Sequence, residues 1–408
     1  MDYIDQVREY FKEIKEICTR DNGSLWGRPM SVPVFFMDKQ TRELYANQND
    51  SSKSLEDYDD VYYGHLPEKY GVANTSISWN GELWVMLILP VSKEQKERQR
   101  LFMHESFHAI QEELGFPSRI PENSHLDKAI ARTWLKLEWL ALKEALNSDG
   151  KDKYKAITNA LLFRKYRHLL YPNSRNSERQ LENHEGLAEY TGMILSGYSD
   201  EERIREMTAR LNSYMDADSY INSFAYWSGP AYGILLFEKN QKWNLDFAKY
   251  DNLGDYLQKL YKVNLSEDIE TLAKIEMSRF GGEEILALEN KLEVEKLEVI
   301  NNYKKYLISD NSLQLNLSQF NIQYEPAKLI SLEGYGTIYP NLRLTDEWGV
   351  LEAKDGALMN SSWSMVTVSK PDSITGDIAY GHGWTLAINS DWEIGQSGDN
   401  GHYIIRHK

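Results

Sequence analysis

Residues 104–108 read His-Glu-Ser-Phe-His, and this string constrains the fold more than any other part of the chain. Two histidines four apart project from one face of a helix, where both imidazoles can reach a single metal ion. Glu105 between them then stands where it can take a proton from a water on that metal. With nine histidines in 408 residues, chance would produce an HExxH on the order of a few hundredths of a time. The string makes two demands on the fold. Its helix must be sheltered on the histidine side, and a distant segment must return with a third ligand, because a catalytic zinc keeps three protein ligands and one open position.

The flanks favour such a helix. Lys93 to Leu114 contains neither proline nor glycine and offers Leu101, Phe102, Ile110 and Leu114 for burial. Pro90 closes the preceding strand, and Gly115 with Pro117 ends the helix. For the third ligand the candidate segment is SERQLENHEGLAEY at 177–190, which reads as a second helix with Gly197 beyond its end. In a regular α-helix Glu182, Glu185 and Glu189 share one face, a stack of like charges that needs a cation or solvent to answer it. Gly186, Leu187 and Ala188 argue for the close approach of another helix instead of solvent. The assignment is therefore Glu185 as ligand and Glu189, one turn on, as the carboxylate that accepts the free N–H of a ligating histidine. Glu182 is the alternative ligand, and His184 is expected to point sideways from this face.

On these residues the chain resembles the gluzincin metallopeptidases, which carry HExxH on one helix and a ligand glutamate on a later one, often with an acidic residue four positions further on. The resemblance implies zinc as cofactor, His104 and His108 as the first two ligands, Glu105 as general base, Glu185 as third ligand and Glu189 as the acid beside a ligating histidine. It also implies a zincin-like catalytic domain acting on a peptide or protein. Seventy-six residues separate His108 from Glu185, a long spacing, and Glu189 stands where aspartate is common. The longer strings SLWGRP, ANTSISWNGELW, HESFHAIQ, NSHLD, EGLAEYTG and SGPAYG, over roughly the first 240 residues, resemble a group of uncharacterised bacterial HExxH proteins. That likeness names no substrate.

Amide hydrolysis also needs a donor for the oxyanion of the tetrahedral intermediate. Tyr226, approaching an expected helix start at Gly229-Pro230, is the first candidate and Tyr232 the second. In gluzincins an edge strand pairs with the substrate backbone. Residues 73–79 are the candidate here, with Asn74 and Ser76 as substrate-binding residues, although an ordinary edge strand reads the same way. Arg164 and Arg167 could clamp a substrate carboxylate, but are expected instead to neutralise the glutamate-rich helix. Two rivals to a peptidase remain: an inactive relative that binds through its C-terminal domain, and a zinc amidase or esterase acting on a non-peptide substrate.

The expected fold class is α+β. A helix and small sheet (1–92) belong to the catalytic unit, a mainly helical metal-binding domain spans 93–309, and an all-β, sandwich-like accessory domain spans 310–408. In that last domain Trp348, Trp363, Trp384 and Trp392 either fill the core or form a binding platform. A formal charge of −16 with no basic block excludes a phosphate-neutralising partner such as nucleic acid. Cys18 is the only cysteine, so neither a disulfide framework nor a thiolate metal site is expected. The polar, amphipathic start MDYIDQVREYFKEIKEI and the absence of any membrane-length apolar run lead to the expectation of a cytoplasmic protein, or a processed form of a secreted one.

Overall fold

The amphipathic start of the chain forms helix α1 (Ile4–Asp21), which buries Val7, Tyr10, Ile14 and Ile17 along one side. The computed structural model describes residues 3–67, 70–119, 121, 123–309, 312–324, 329–332, 334–396 and 401–408. After α1 come six strands: β1 (Val34–Asp38), β2 (Glu43–Ala46), β3 (Glu56–Tyr58), β4 (Val61–His65), β5 (Thr75–Trp79) and β6 (Glu82–Leu89). They form one sheet in the order β3-β4-β2-β1-β6-β5, with β1 and β6 parallel and the other pairs antiparallel.

The continuous apolar runs VFFM and WVML reflect this position, because the central strands β1 and β6 are covered on both faces. Val34, Phe36, Val85 and Leu87 join the core shared with the helices. Their alternates Phe35, Met37, Trp84 and Met86 form a second cluster with Leu44 and Trp79.

Helix α2 (Gln95–Ile110) leaves the sheet and carries the HExxH string. Next come α3 (Ala129–Leu146), α4 (Gly150–Leu170) and α5 (Ser174–Leu181). A single π-helical turn, Glu182–Gly186, leads directly into α6 (Leu187–Leu195). Helix α7 (Asp200–Ser213) starts in a reciprocal capping box between Ser199 and Glu202. The remaining helices are α8 (Ala225–Lys239), α9 (Trp243–Phe247), α10 (Leu253–Tyr261), α11 (Ile269–Met277) and α12 (Gly282–Lys304). α3 and α4 pack as a hairpin, α2 packs on α6, and α8 packs on both α6 and the π-turn.

The chain divides into two compact units, 1–290 and 291–408, so the division falls within α12 and not at the expected boundary of 309/310, where residue 310 lies outside the described residues. The reason lies in the packing of the helix's C-terminal end. Tyr303, and Leu307 just beyond α12, are buried against Leu332, Ile338 and Leu358 of the β-rich unit.

In that second unit the described strands make a seven-stranded and a six-stranded sheet. Leu313, Leu315, Val366 and Val368 from the first meet Leu344, Leu351 and Leu386 from the second in one core, the arrangement of a sandwich. Trp348 and Trp384 fill this core, whereas Trp363 stays 43% exposed. The molecule is thus α+β: an N-terminal sheet, a helical middle and an all-β C-terminal unit. No helix among the described residues is long and apolar enough to cross a membrane.

Candidate metal centre

His104 and His108 lie on α2, one turn apart, with their Nε2 atoms 3.1 Å from each other. Glu185 enters from the π-turn and brings its Oε2 to 3.4 Å from His104 Nε2 and 3.5 Å from His108 Nε2. These three side chains form the one group of three or more potential metal-binding side chains found among the described residues. Oε2 of Glu185 is buried and has no hydrogen-bond partner, so an acceptor is aimed into the space between the imidazoles.

Each imidazole is held from behind. Nδ1 of His104 is 3.0 Å from Oε2 of Glu189, and Nδ1 of His108 is 2.9 Å from Oε1 of Gln111. Acceptors at both Nδ1 positions hold a ring proton there, so that a metal replacing any proton on Nε2 would meet both lone pairs and Glu185. Glu189 is in turn clamped by Arg100, and by Arg210 at 2.6 Å. Burial works against its ionisation, but His104 and the two arginines outweigh it and hold the carboxyl down at about 2.

Burial also works against charge on His104, yet Glu185 and Glu189 lift its imidazole to about 10. A field that favours a proton so strongly equally favours another cation at that nitrogen. Two imidazoles and a carboxylate suit zinc, and the unpartnered oxygen supplies the independent observation that the set fits one.

The π-turn decides which glutamate faces the two histidines. A π-turn adds one residue to the helical turn and rotates the rest of the helix by about 100° relative to a continuous α-helix. The shared face expected for Glu182, Glu185 and Glu189 therefore does not form. Glu182 points the other way and pairs bidentately with Arg164, Nη1–Oε1 at 2.7 Å and Nη2–Oε2 at 2.5 Å. That pair belongs to a sealed cluster behind the site. Arg167 pairs with Glu178 through Nε at 2.8 Å and Nη2 at 2.7 Å, and His125 and His168 each reach Glu178 at 2.8 Å. Glu138, from α3, lies 3.2 Å from Arg164 and 2.7 Å from Arg167.

The close approach signalled by Gly186 is with α8. A Cβ on Gly229 would lie 2.7 Å from the carbonyl carbon and 2.8 Å from the carbonyl oxygen of Gly186, and nearer still to its Cα. α8 also carries Tyr226, whose ring stacks on His104 at 5.6 Å with an interplanar angle of 5°. Burial and the nearby Glu185 carboxylate raise the pKa of its hydroxyl well above the ordinary value. The expected helix start at Gly229-Pro230 does not occur. α8 runs from Ala225 with Pro230 inside it, so the proline only removes the donor to the Tyr226 carbonyl. Tyr232 is spent elsewhere, donating to Glu138 at 2.8 Å in the sealed cluster.

Glu105 is buried beside the two histidines, and burial raises its carboxyl above the usual range. β5 is the edge strand of its sheet and lies against α2. Ser76 sits in β5 opposite Val85, whereas the Asn74 side chain already accepts the backbone N–H of Ile88 at 2.8 Å. Three polar partners were not singled out from the sequence: Arg100, Gln111 and Arg210. The first lies four residues before His104 and the second three after His108, spacings that put both on the ligand face of the helix. Arg210 lies on a different helix, α7, and no local spacing signals it. His184, expected to point away, has its ring 4.8 Å from that of His108. Comparison of the chain with protein-family models, with curated proteins and with solved structures finds no match.

Proposed function

We propose that this chain is a zinc-dependent hydrolase of the gluzincin type, acting as a peptidase, with zinc held by His104, His108 and Glu185. The observation that carries this reading is the unpartnered, buried Oε2 of Glu185 facing two Nε2 atoms whose opposite ring nitrogens are both already engaged. Zinc in that position supplies a Lewis acid that acidifies water and polarises a scissile carbonyl.

Glu105 takes the proton from the attacking water and returns it to the leaving amine. Burial raises its carboxyl above the usual range, which makes it the stronger base. Tyr226, already oriented by its stack on His104, would offer its hydroxyl to the developing oxyanion. The substrate backbone would add to β5, the edge strand among the described residues, and with the Asn74 side-chain oxygen accepting from Ile88 this recognition rests chiefly on the main chain.

Glu105→Gln and Glu185→Ala separate the roles. With a fluorogenic peptide library, Glu105→Gln should lower turnover by about 10²–10⁴-fold while elemental analysis still finds one zinc per chain. Glu185→Ala should lose the zinc. Turnover close to wild type in Glu105→Gln would refute the assignment of the base. Zinc binding with no cleaved bond in wild type would favour a binding module or a non-peptide substrate.

A further inference from the structure

We propose that a cavity between α4, α10 and the start of α11 is a binding site for a free α-amino acid with an apolar side chain. The cavity is separate from the candidate metal centre, since none of His104, Glu105, His108, Glu185 or Tyr226 lines it. Its volume of about 420 Å³ lies within the range of small-molecule sites. The inference goes beyond the zinc reading and stands or falls without it.

Helix α4 supplies the floor. Leu161, Arg164, Lys165 and His168 follow the three- and four-residue spacing of one helical face, and all four line the cavity. Arg164 is 3% exposed, and its Nη1 and Nη2 are held by Glu138 and Glu182, which leaves the Nε–H edge. Gly254 of α10 faces that edge. A Cβ there would stand 2.9 Å from Nε and 3.0 Å from Cδ of Arg164, so a side chain at this position would cover the guanidinium. His168 gives its Nε2–H to Glu178 at 2.8 Å. Burial holds this imidazole below its ordinary pKa despite Glu178, so near neutrality the ring is uncharged. Its Nδ1, which has no hydrogen-bond partner among the described residues, is then an acceptor.

The charges at the rim decide the ligand. Arg175 and Asp255 pair with each other and cancel. Lys165 and Glu267 are exposed and have no ion pair among the described residues. One uncommitted ammonium and one uncommitted carboxylate on the same cavity suit a ligand that carries both signs. A simple anion would meet Glu267 with like charge, and a simple cation would meet Lys165 in the same way. The α-carboxylate goes to Lys165 and the Arg164 edge, and the α-ammonium goes to Glu267 and Nδ1 of His168. Leu161, Leu265 and Ile269 form the apolar wall that takes the ligand's side chain. Arg164 and His168 are already fixed by Glu182 and Glu178, so the floor needs little ordering when the ligand arrives.

Calorimetric titration with L-leucine tests the site. Wild type should bind it saturably, and N-acetyl-leucine and leucinamide, each lacking one charge, should bind about 10-fold more weakly. Lys165→Ala and Glu267→Gln, both at exposed positions, should each lower leucine affinity about 10-fold with thermal unfolding unchanged. Leucine held at the metal centre is told apart by repeating the titration on chelator-stripped protein, where the affinity should be kept. No saturable binding to wild type, equal affinity for N-acetyl-leucine, or binding that disappears with the metal would each overturn the proposal. Leucine binding in a protein that takes up no zinc would support this site while overturning the zinc reading.

Discussion

Gly229→Ala adds one methyl group where α8 crosses the ligand-bearing turn, and the structure fixes both its sign and its reach. In an open helix interior the change would stabilise the protein by about 0.5–1 kcal/mol, because alanine loses less chain entropy than glycine. Here the new Cβ would sit 2.7 Å from the carbonyl carbon of Gly186, against the roughly 3.5–4.0 Å of ordinary carbon–carbon contact. The turn must retreat by about 1 Å, and overpacking of that kind costs about 1–3 kcal/mol. The clash outweighs the propensity gain, so net destabilisation is expected.

The displaced turn carries Glu185 with it. Zinc affinity should therefore fall by about 10–100-fold, as when a group that orients a ligand is lost. Gly186→Ala provides a graded comparison, because its Cβ meets Gly229 Cα at 3.0 Å and the Ala225 carbonyl at 3.2 Å, contacts that small shifts can relieve. Thermal unfolding and chelator competition on both variants should rank Gly229→Ala as the more damaging in each assay. A Gly229→Ala protein that is more stable than wild type and holds zinc equally well would refute the close crossing and the argument built on it.

Tyr226→Phe keeps the ring stack on His104 and removes the hydroxyl. It should lower kcat/KM by about 10²-fold with zinc content unchanged, and an unaffected rate would remove Tyr226 from the chemistry. Glu178→Gln probes the sealed cluster through pH. Burial alone would raise the Glu178 carboxyl, but Arg167 and His168 hold it well below its ordinary 4.5. A carboxyl depressed in the folded state contributes stability in full above its unfolded pKa and loses it as pH falls through the folded value. Removing one partner of such a pair costs about 3–5 kcal/mol. The stability gap between wild type and Glu178→Gln should therefore be widest near neutrality and close on acidification, and a gap independent of pH would contradict the assignment.

Much of this was legible because it rests on local periodicity. HESFH on an unbroken helical stretch places both histidines on one face whatever the rest of the chain does. Gly186 announced a helix crossing because few other reasons put a glycine inside a helix. The central strands β1 and β6 contain the continuous apolar runs VFFM and WVML. What local spacing could not supply was the π-turn. An i, i+3, i+7 reading assumes 3.6 residues per turn, and one wider turn sent Glu182 to Arg164 and brought His184 towards His108. Gly229-Pro230 misled for a related reason. Proline marks a helix start when nothing else supports the backbone, whereas in α8 the surrounding packing carries the helix through it.

The sealed cluster makes sense only when stability and positioning are weighed separately. Glu138, Glu178 and Glu182 face Arg164 and Arg167, all between 0% and 3% exposed. Desolvating five charges is expensive, and replacing buried ion pairs by well-packed apolar side chains is often neutral or stabilising by about 1–4 kcal/mol. An apolar core would therefore hold these helices together at least as well. It would not hold the π-turn in one orientation, because apolar contacts are non-directional. The two parallel bonds from Arg164 to Glu182 are directional, and they fix the first residue of the turn three positions before Glu185. The Gly186–Gly229 crossing fixes the last residue of the same turn. Glu185 lies between two anchors of different physical kind, one set by direction and one by contact, so neither can slide to accommodate a shift in the other. On the proposed zinc reading, a ligand carried on a wide helical turn needs that constraint, and the cluster's cost in stability is the reason to assign it to the site and not to the fold.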